Sequence, residues 1–165
     1  MLILCGAILY VFNKHIKGNL NNAQTENEGV VYKTDNALEF AKWLGKNPEE
    51  LKLGAGYIKD DGVFLKVNFD GRLFDKEAHG NVFFEEDGGE IIKKANTVYI
   101  HSAELTYEEC RDRLAELYGK PQSESEEPYA EVKGGAVMRC YFKGEKYGIE
   151  LTKTSEREYI DITIK

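Results

Sequence analysis

The chain has 165 residues, 42% of them hydrophobic, which suits one domain or two small units around a shared interior. Its formal net charge is −7, and the acidic runs at Glu85–Asp87 and Glu124–Glu127 have no clustered basic counterpart, which argues against nucleic-acid binding. Cys5, Cys110 and Cys140 show no CxxC and no Cys/His spacing, so no zinc motif is present and the acidic runs read as solvated loops.

Residues 1–12 (MLILCGAILYVF) are almost continuously apolar. That run is too short for a membrane span, which needs about 20 residues, but has the length of the apolar region of a signal sequence. No basic segment precedes it, so it reads as the tail of a signal-anchor, with a short core strand or helix as the plainer alternative. Leu2, Ile3, Leu4 and Cys5 superficially match a lipoprotein box, but Leu4 stands where a small residue is expected. Residues 13–29 are polar and aperiodic and read as a flexible tether. Anchor, tether and folded domain in that order point to a domain outside the cytoplasm.

From residue 30 the pattern changes. Asn36 caps a predicted helix, with Glu39 placed to complete a capping box. Ala37, Phe40, Ala41 and Leu44 form its apolar stripe and Gly45 stops it. Trp43 lies off the stripe and is expected to pack between units rather than to hold a ligand. Strands are predicted over residues 57–60 and 63–69, with Asp61-Gly62 and Asp70-Gly71 as hairpin turns and a further strand from Arg72. Residues 81–85 and 97–101 complete this first unit, 30–103, around a turn at residues 87–89.

The second unit, 104–165, opens on a capping box formed by Thr106 and Glu109. Cys110, Leu114, Leu117 and Tyr118 make the helix's expected buried stripe, and Gly119 and Pro121 end it. Strands follow over residues 129–132, 136–142, 145–151 and 159–164. Met138, Cys140, Phe142, Tyr147, Ile149, Leu151, Ile160, Ile162 and Ile164 alternate onto the face expected to meet the helix. Cys110 and Cys140 thus point into one core, where two buried thiols are favoured over a disulfide.

The units look like copies. Gly45-Lys46 matches Gly119-Lys120; after a one-residue slip, Pro48 matches Pro121, Val67 matches Cys140, and Phe69 matches Phe142. The predicted class is α+β: two helix-plus-antiparallel-meander units with their helices on one face of an antiparallel sheet. The motif from Leu114 to Pro121 ahead of a meander resembles the tandem units of the β-lactamase-inhibitor-protein-like group, small exported or lipoprotein-like proteins of Gram-positive envelopes. That resemblance implies two α/β units forming one sheet, helices behind and a binding face in front. It assigns no contact residue here.

Removing the core positions leaves the opposite sheet face as the candidate binding surface: Arg139, Tyr141, Tyr159 and Asp161, with Phe64, Lys66 and Asn68 from the first unit. Tyrosine and arginine are the residue types enriched at binding hot spots. The plainer alternative is a solvated sheet face whose aromatics serve cross-strand pairing. Enzymatic motifs are weak. His15, His79 and His101 fall in tether, loop and strand contexts, no nucleophile has a recognisable motif, and no cofactor or metal pattern occurs. The sequence therefore predicts a non-enzymatic binding module with a protein or envelope-polymer ligand, held at a membrane by its N-terminal segment. A small hydrolase using His79 or His101 with loop carboxylates, and a structural spacer, are the alternatives.

Overall fold

The computed structural model describes residues 30–60, 65–86, 93–129 and 134–165. The expected anchor and tether, Cys5, Phe64 and the turns at 61–62 and 87–89 lie outside the described residues. No helix among the described residues is long and apolar enough to cross a membrane.

The expected pair of helix-plus-meander units is not what forms. The chain builds one mixed sheet from β1 (Tyr32–Thr34), β2 (Ile58–Asp60), β3 (Leu65–Leu73), β4 (Lys76–Glu86), β5 (Lys93–Ser102), β6 (Ser123–Pro128), β7 (Ala136–Lys143), β8 (Gly148–Thr154) and β9 (Ile160–Ile164). Its spatial order is β1-β3-β4-β5-β9-β8-β7-β6, with β2 beside β3. β1 runs parallel to β3 and the remaining pairs are antiparallel. Among the described residues there is one α-helix, α1 (Tyr107–Tyr118); the predicted first helix is a seven-residue 3-10 segment, Ala37–Trp43. A segment this short, stopped by Gly45 and Pro48, gains little from α-helical propagation.

What joins the two halves of the sheet is the pairing of β5 with β9, in which Val98 meets Ile164 and Ile100 meets Ile162. All four side chains are buried, so the apolar face continues across the seam. One core cluster accordingly contains Phe40, Val67, Phe69 and Val82 from one side, and Leu114, Cys140, Phe142 and Leu151 from the other. The inward alternation expected from Cys140 to Ile164 is observed, with Met138 and Tyr147 partly buried against the cluster. Burying such side chains contributes about 1.5–3 kcal/mol each.

Several local expectations are corrected. Asp70-Gly71 is not a turn but the middle of β3; the hairpin turn lies at Phe74 and Asp75, both at positive φ as a two-residue hairpin loop requires. At Gly71 a β-carbon would collide with Thr34 of β1, so glycine there admits the parallel neighbour rather than a turn. The acidic stretch read as a loop forms β6, an edge strand in which every residue is exposed. Charge on an exposed edge opposes pairing with other chains. Leu117 is 60% exposed rather than buried, and only Tyr107, Cys110 and Leu114 of α1 are buried.

At the N-terminal segment, Asn36 caps through its Oδ1, which accepts from the Leu38 amide, but Glu39 turns to the Thr34 hydroxyl instead of completing a box. Trp43 packs edge-on against Tyr32 (5.3 Å between centroids) and Phe40 (4.7 Å). Phe40 in turn stacks on Phe69 at 4.2 Å. The Thr106–Glu109 box of α1 forms in full. Cys110 and Cys140 are buried free thiols.

Candidate functional site: the outer face of the sheet

The face of the sheet turned away from the core carries the polar half of each strand's alternation. Register fixes what stands beside what. Asp70 of β3 opposes His79 of β4, His79 opposes His101 of β5, and His101 opposes Asp161 of β9. Continuing across, Asp161 opposes Thr152 of β8 and Thr152 opposes Arg139 of β7. One transverse row therefore runs from Asp70 to Arg139 and includes Asp70 and His79, which the sequence placed in a turn and a loop.

The row is held by charge-assisted hydrogen bonds. His79 Nδ1 lies 2.8 Å from Asp70 Oδ1, and His101 Nδ1 lies 2.5 Å from Asp161 Oδ1. Lys33 donates to the other Asp70 oxygen at 2.6 Å. That bond first, then the one from His79, holds the Asp70 carboxyl below its ordinary range. Arg157 donates to Asp161 Oδ2 at 2.9 Å, which raises the arginine's already high pKa. The same guanidinium lies 5.6 Å from the Tyr159 ring centroid, and His101 meets that ring edge-on at 5.6 Å. Tyr159, Arg157, Asp161 and His101 thus form one connected group. Asp161 is more enclosed than the two basic groups beside it, its side chain 15% exposed against 39% for His101 and 48% for Arg157.

The second cluster lies on β7 and β8. Arg139 reaches Glu127 at 3.3 Å and Glu150 at 3.6 Å, which fixes its guanidinium between two carboxylates. Tyr141 is 39% exposed and lies across Gly148 of β8, where any β-carbon would overlap the phenol. Glycine at that position lets the ring lie flat on the neighbouring strand.

Of the predicted residues, Arg139 and Tyr141 thus fall together, as do Tyr159 and Asp161. Lys66 and Asn68 sit on β3, opposite Phe83 and Asn81 of β4, away from both clusters. Asn68 Oδ1 is buried with no hydrogen-bond partner among the described residues, so it is less available than the sequence suggested. Phe64 lies outside the described residues. Sequence reasoning did not place Asp70, His79 or Arg157 on this face; His79 was named only for the hydrolase alternative. The alternation of Ala78, Gly80, Val82 and Phe84 inward against His79, Asn81 and Phe83 outward was the available signal for extending β4 back to His79. Among the described residues, no group of three or more His, Cys, Asp and Glu side chains is arranged to hold a metal ion.

Searches of protein-family models, curated proteins and solved structures found no match to this chain.

Proposed function

We propose that this chain is a non-enzymatic binding module that takes a protein ligand on the outer face of its sheet. The observation that carries this reading is the pre-ordering of its aromatic and arginine side chains. Tyr141 is laid on Gly148, Arg139 is clamped by Glu127 and Glu150, and Tyr159 is flanked by Arg157 and His101. Side chains already fixed lose little entropy on binding, so the area they bury converts more fully into affinity. The apolar run 1–12 followed by the polar run 13–29 supports a position outside the cytoplasm, secreted or anchored.

The test is affinity capture from native cell envelopes, comparing the wild type with a Tyr141→Asp/Tyr159→Asp variant whose fold is checked by circular dichroism. A partner held by the wild type and lost by the folded variant supports the reading; loss of two hot-spot residues weakens binding by about thirtyfold or more. Equal capture by both, or none by either, overturns it and leaves the spacer and hydrolase readings.

One observation favours the hydrolytic alternative. His79 and His101 are each oriented through Nδ1 by an aspartate, the arrangement that readies an imidazole as a general base. Alanine at His79 and His101 leaves a binding module's capture intact, whereas a hydrolase loses its turnover.

A further inference from the structure

On the core side of the sheet, away from the face just described, a cleft of about 940 Å³ opens between three chain segments. One wall is the end of the 3-10 segment and its turn, the second is the last turn of α1, and the third is the β7–β8 turn. The Gly45-Lys46 turn is fixed against β5 by two backbone bonds, Gly45 N to Ala95 O and Ala95 N to Lys46 O, each 2.8 Å. The β7–β8 turn is closed by the Gly144 amide donating to the Tyr147 carbonyl at 2.8 Å. Tyr118 and Tyr147 join the second and third walls, their hydroxyls 3.4 Å apart. The walls are therefore built before any ligand arrives.

The chemistry of the lining is unlike that of the chain as a whole. Lys42, Lys46, Lys143 and Lys146 surround the cleft, and Glu145 is the one acidic residue that lines it. This occurs in a protein whose formal net charge is −7. None of the four lysines has an ion-pair partner among the described residues. Between them the cleft offers apolar surface from Leu44, Tyr118, Tyr147 and Leu117, the last 60% exposed at the mouth. A single exposed leucine is ordinary on a protein surface; what sets this one apart is its place in a cleft lined by four lysines.

We propose that this cleft binds a small organic anion with an apolar body, its acidic group among the lysines and its body on Leu44, Leu117, Tyr118 and Tyr147. The volume is that of a small-molecule pocket rather than of a protein-docking surface. Lysine ammonium groups are point charges that suit a phosphate or carboxylate without the planar matching that arginine would demand. The tyrosine hydroxyls supply further donors at the floor. This site is independent of the sheet-face reading, since the two surfaces lie on opposite sides of the sheet and share no residue.

The test uses the full chain and octyl phosphate as probe, titrated calorimetrically below its micelle concentration, with inorganic phosphate and octanol as separate arms. Octyl phosphate is expected to bind saturably and at least about tenfold more tightly than either fragment, because each fragment engages only half of the lining. Binding weakens as salt is raised, as a cation-lined open cleft requires. A Lys42→Glu/Lys146→Glu variant weakens it at least about tenfold. Leu117→Ser, at an exposed position that does not support the core, weakens it as well, and shifts of the Tyr118 and Tyr147 ring signals in NMR place the probe in the cleft. Octanol binding as tightly as octyl phosphate overturns the proposal, as does inorganic phosphate doing so. So does a folded charge-reversed variant that binds like the wild type, or the absence of saturable binding.

Discussion

His79 and His101 stand opposite one another across β4 and β5, and each imidazole is held from its far side by an aspartate of the next strand. The result is a near-symmetric row of acid, base, base and acid over four strands, with Lys33 and Arg157 closing its ends. A row of this kind ties strand register to charge, because a slip of one residue would move these side chains to the core face.

The row makes stability depend on acid in a defined direction. Asp70 is held below the ordinary aspartate pKa of 3.8 by its bonds to Lys33 and then His79. A carboxyl depressed in the folded state contributes stability that is present above its unfolded pKa and lost as pH falls through the folded value. Because the partners are largely exposed, the contribution at neutral pH is below about 1 kcal/mol. Urea midpoints of the wild type and Asp70→Asn, followed over pH, are expected to differ at neutral pH and to converge in acid. A gap that persists in acid contradicts this account.

The two core thiols are expected to be inert. Burial pushes the Cys110 thiol up to about 12, with Cys140 nearby adding to the shift, and burial pushes Cys140 up to about 11, with Glu124 adding. Since the thiolate is the reactive form, a Cys5→Ser protein should not react with a disulfide reagent at pH 8 until it unfolds. Unfolding then releases two equivalents. Rapid reaction of the folded protein would count against the buried placement.

Leu114 and Leu117 are one turn apart on α1 yet differ in environment, the first fully buried and the second largely exposed. Leu114→Ala is expected to cost about 2–5 kcal/mol in denaturant unfolding. Leu117→Ala stays within about 0.5 kcal/mol of the wild type. Similar losses for both would mean that α1 presents a different face to the sheet.

Gly80 faces the core opposite Phe69, and a β-carbon there would run into the Tyr99 carbonyl oxygen and the Phe69 ring. Gly80→Ala must displace Phe69 and with it the Phe40 stack, at a cost of about 1–3 kcal/mol. A lowered urea midpoint at unchanged slope is the expected signature. Stability equal to that of the wild type would show that the ring does not rest on this glycine.

Local chemistry was legible in the sequence and long-range pairing was not. The Thr106–Glu109 box and the inward run from Cys140 to Ile164 depend on near neighbours and could be read directly. Leu117 was misplaced because helical spacing gives the stripe but not how far the sheet extends beneath it. β6 was missed because an exposed edge strand needs no apolar alternation, so its glutamates resemble a loop. Asp70-Gly71 carries a strong turn signal that β1 overrides by pairing along β3. Arg139 and Tyr141 were found by subtraction from the core. The row from Asp70 to Asp161 was not, because it exists only once four strands are in register.

The seam between β5 and β9 also sets an order of events. As the chain leaves the ribosome, β3, β4 and β5 can pair early, but the far edge of β5 waits for a partner that includes Ile164. Until then Val98 and Ile100 lie beside an unpaired backbone edge, a surface that invites pairing with other nascent chains. Closure of the sheet across this seam rests on contacts about sixty residues apart in sequence, and such long-range pairing slows folding.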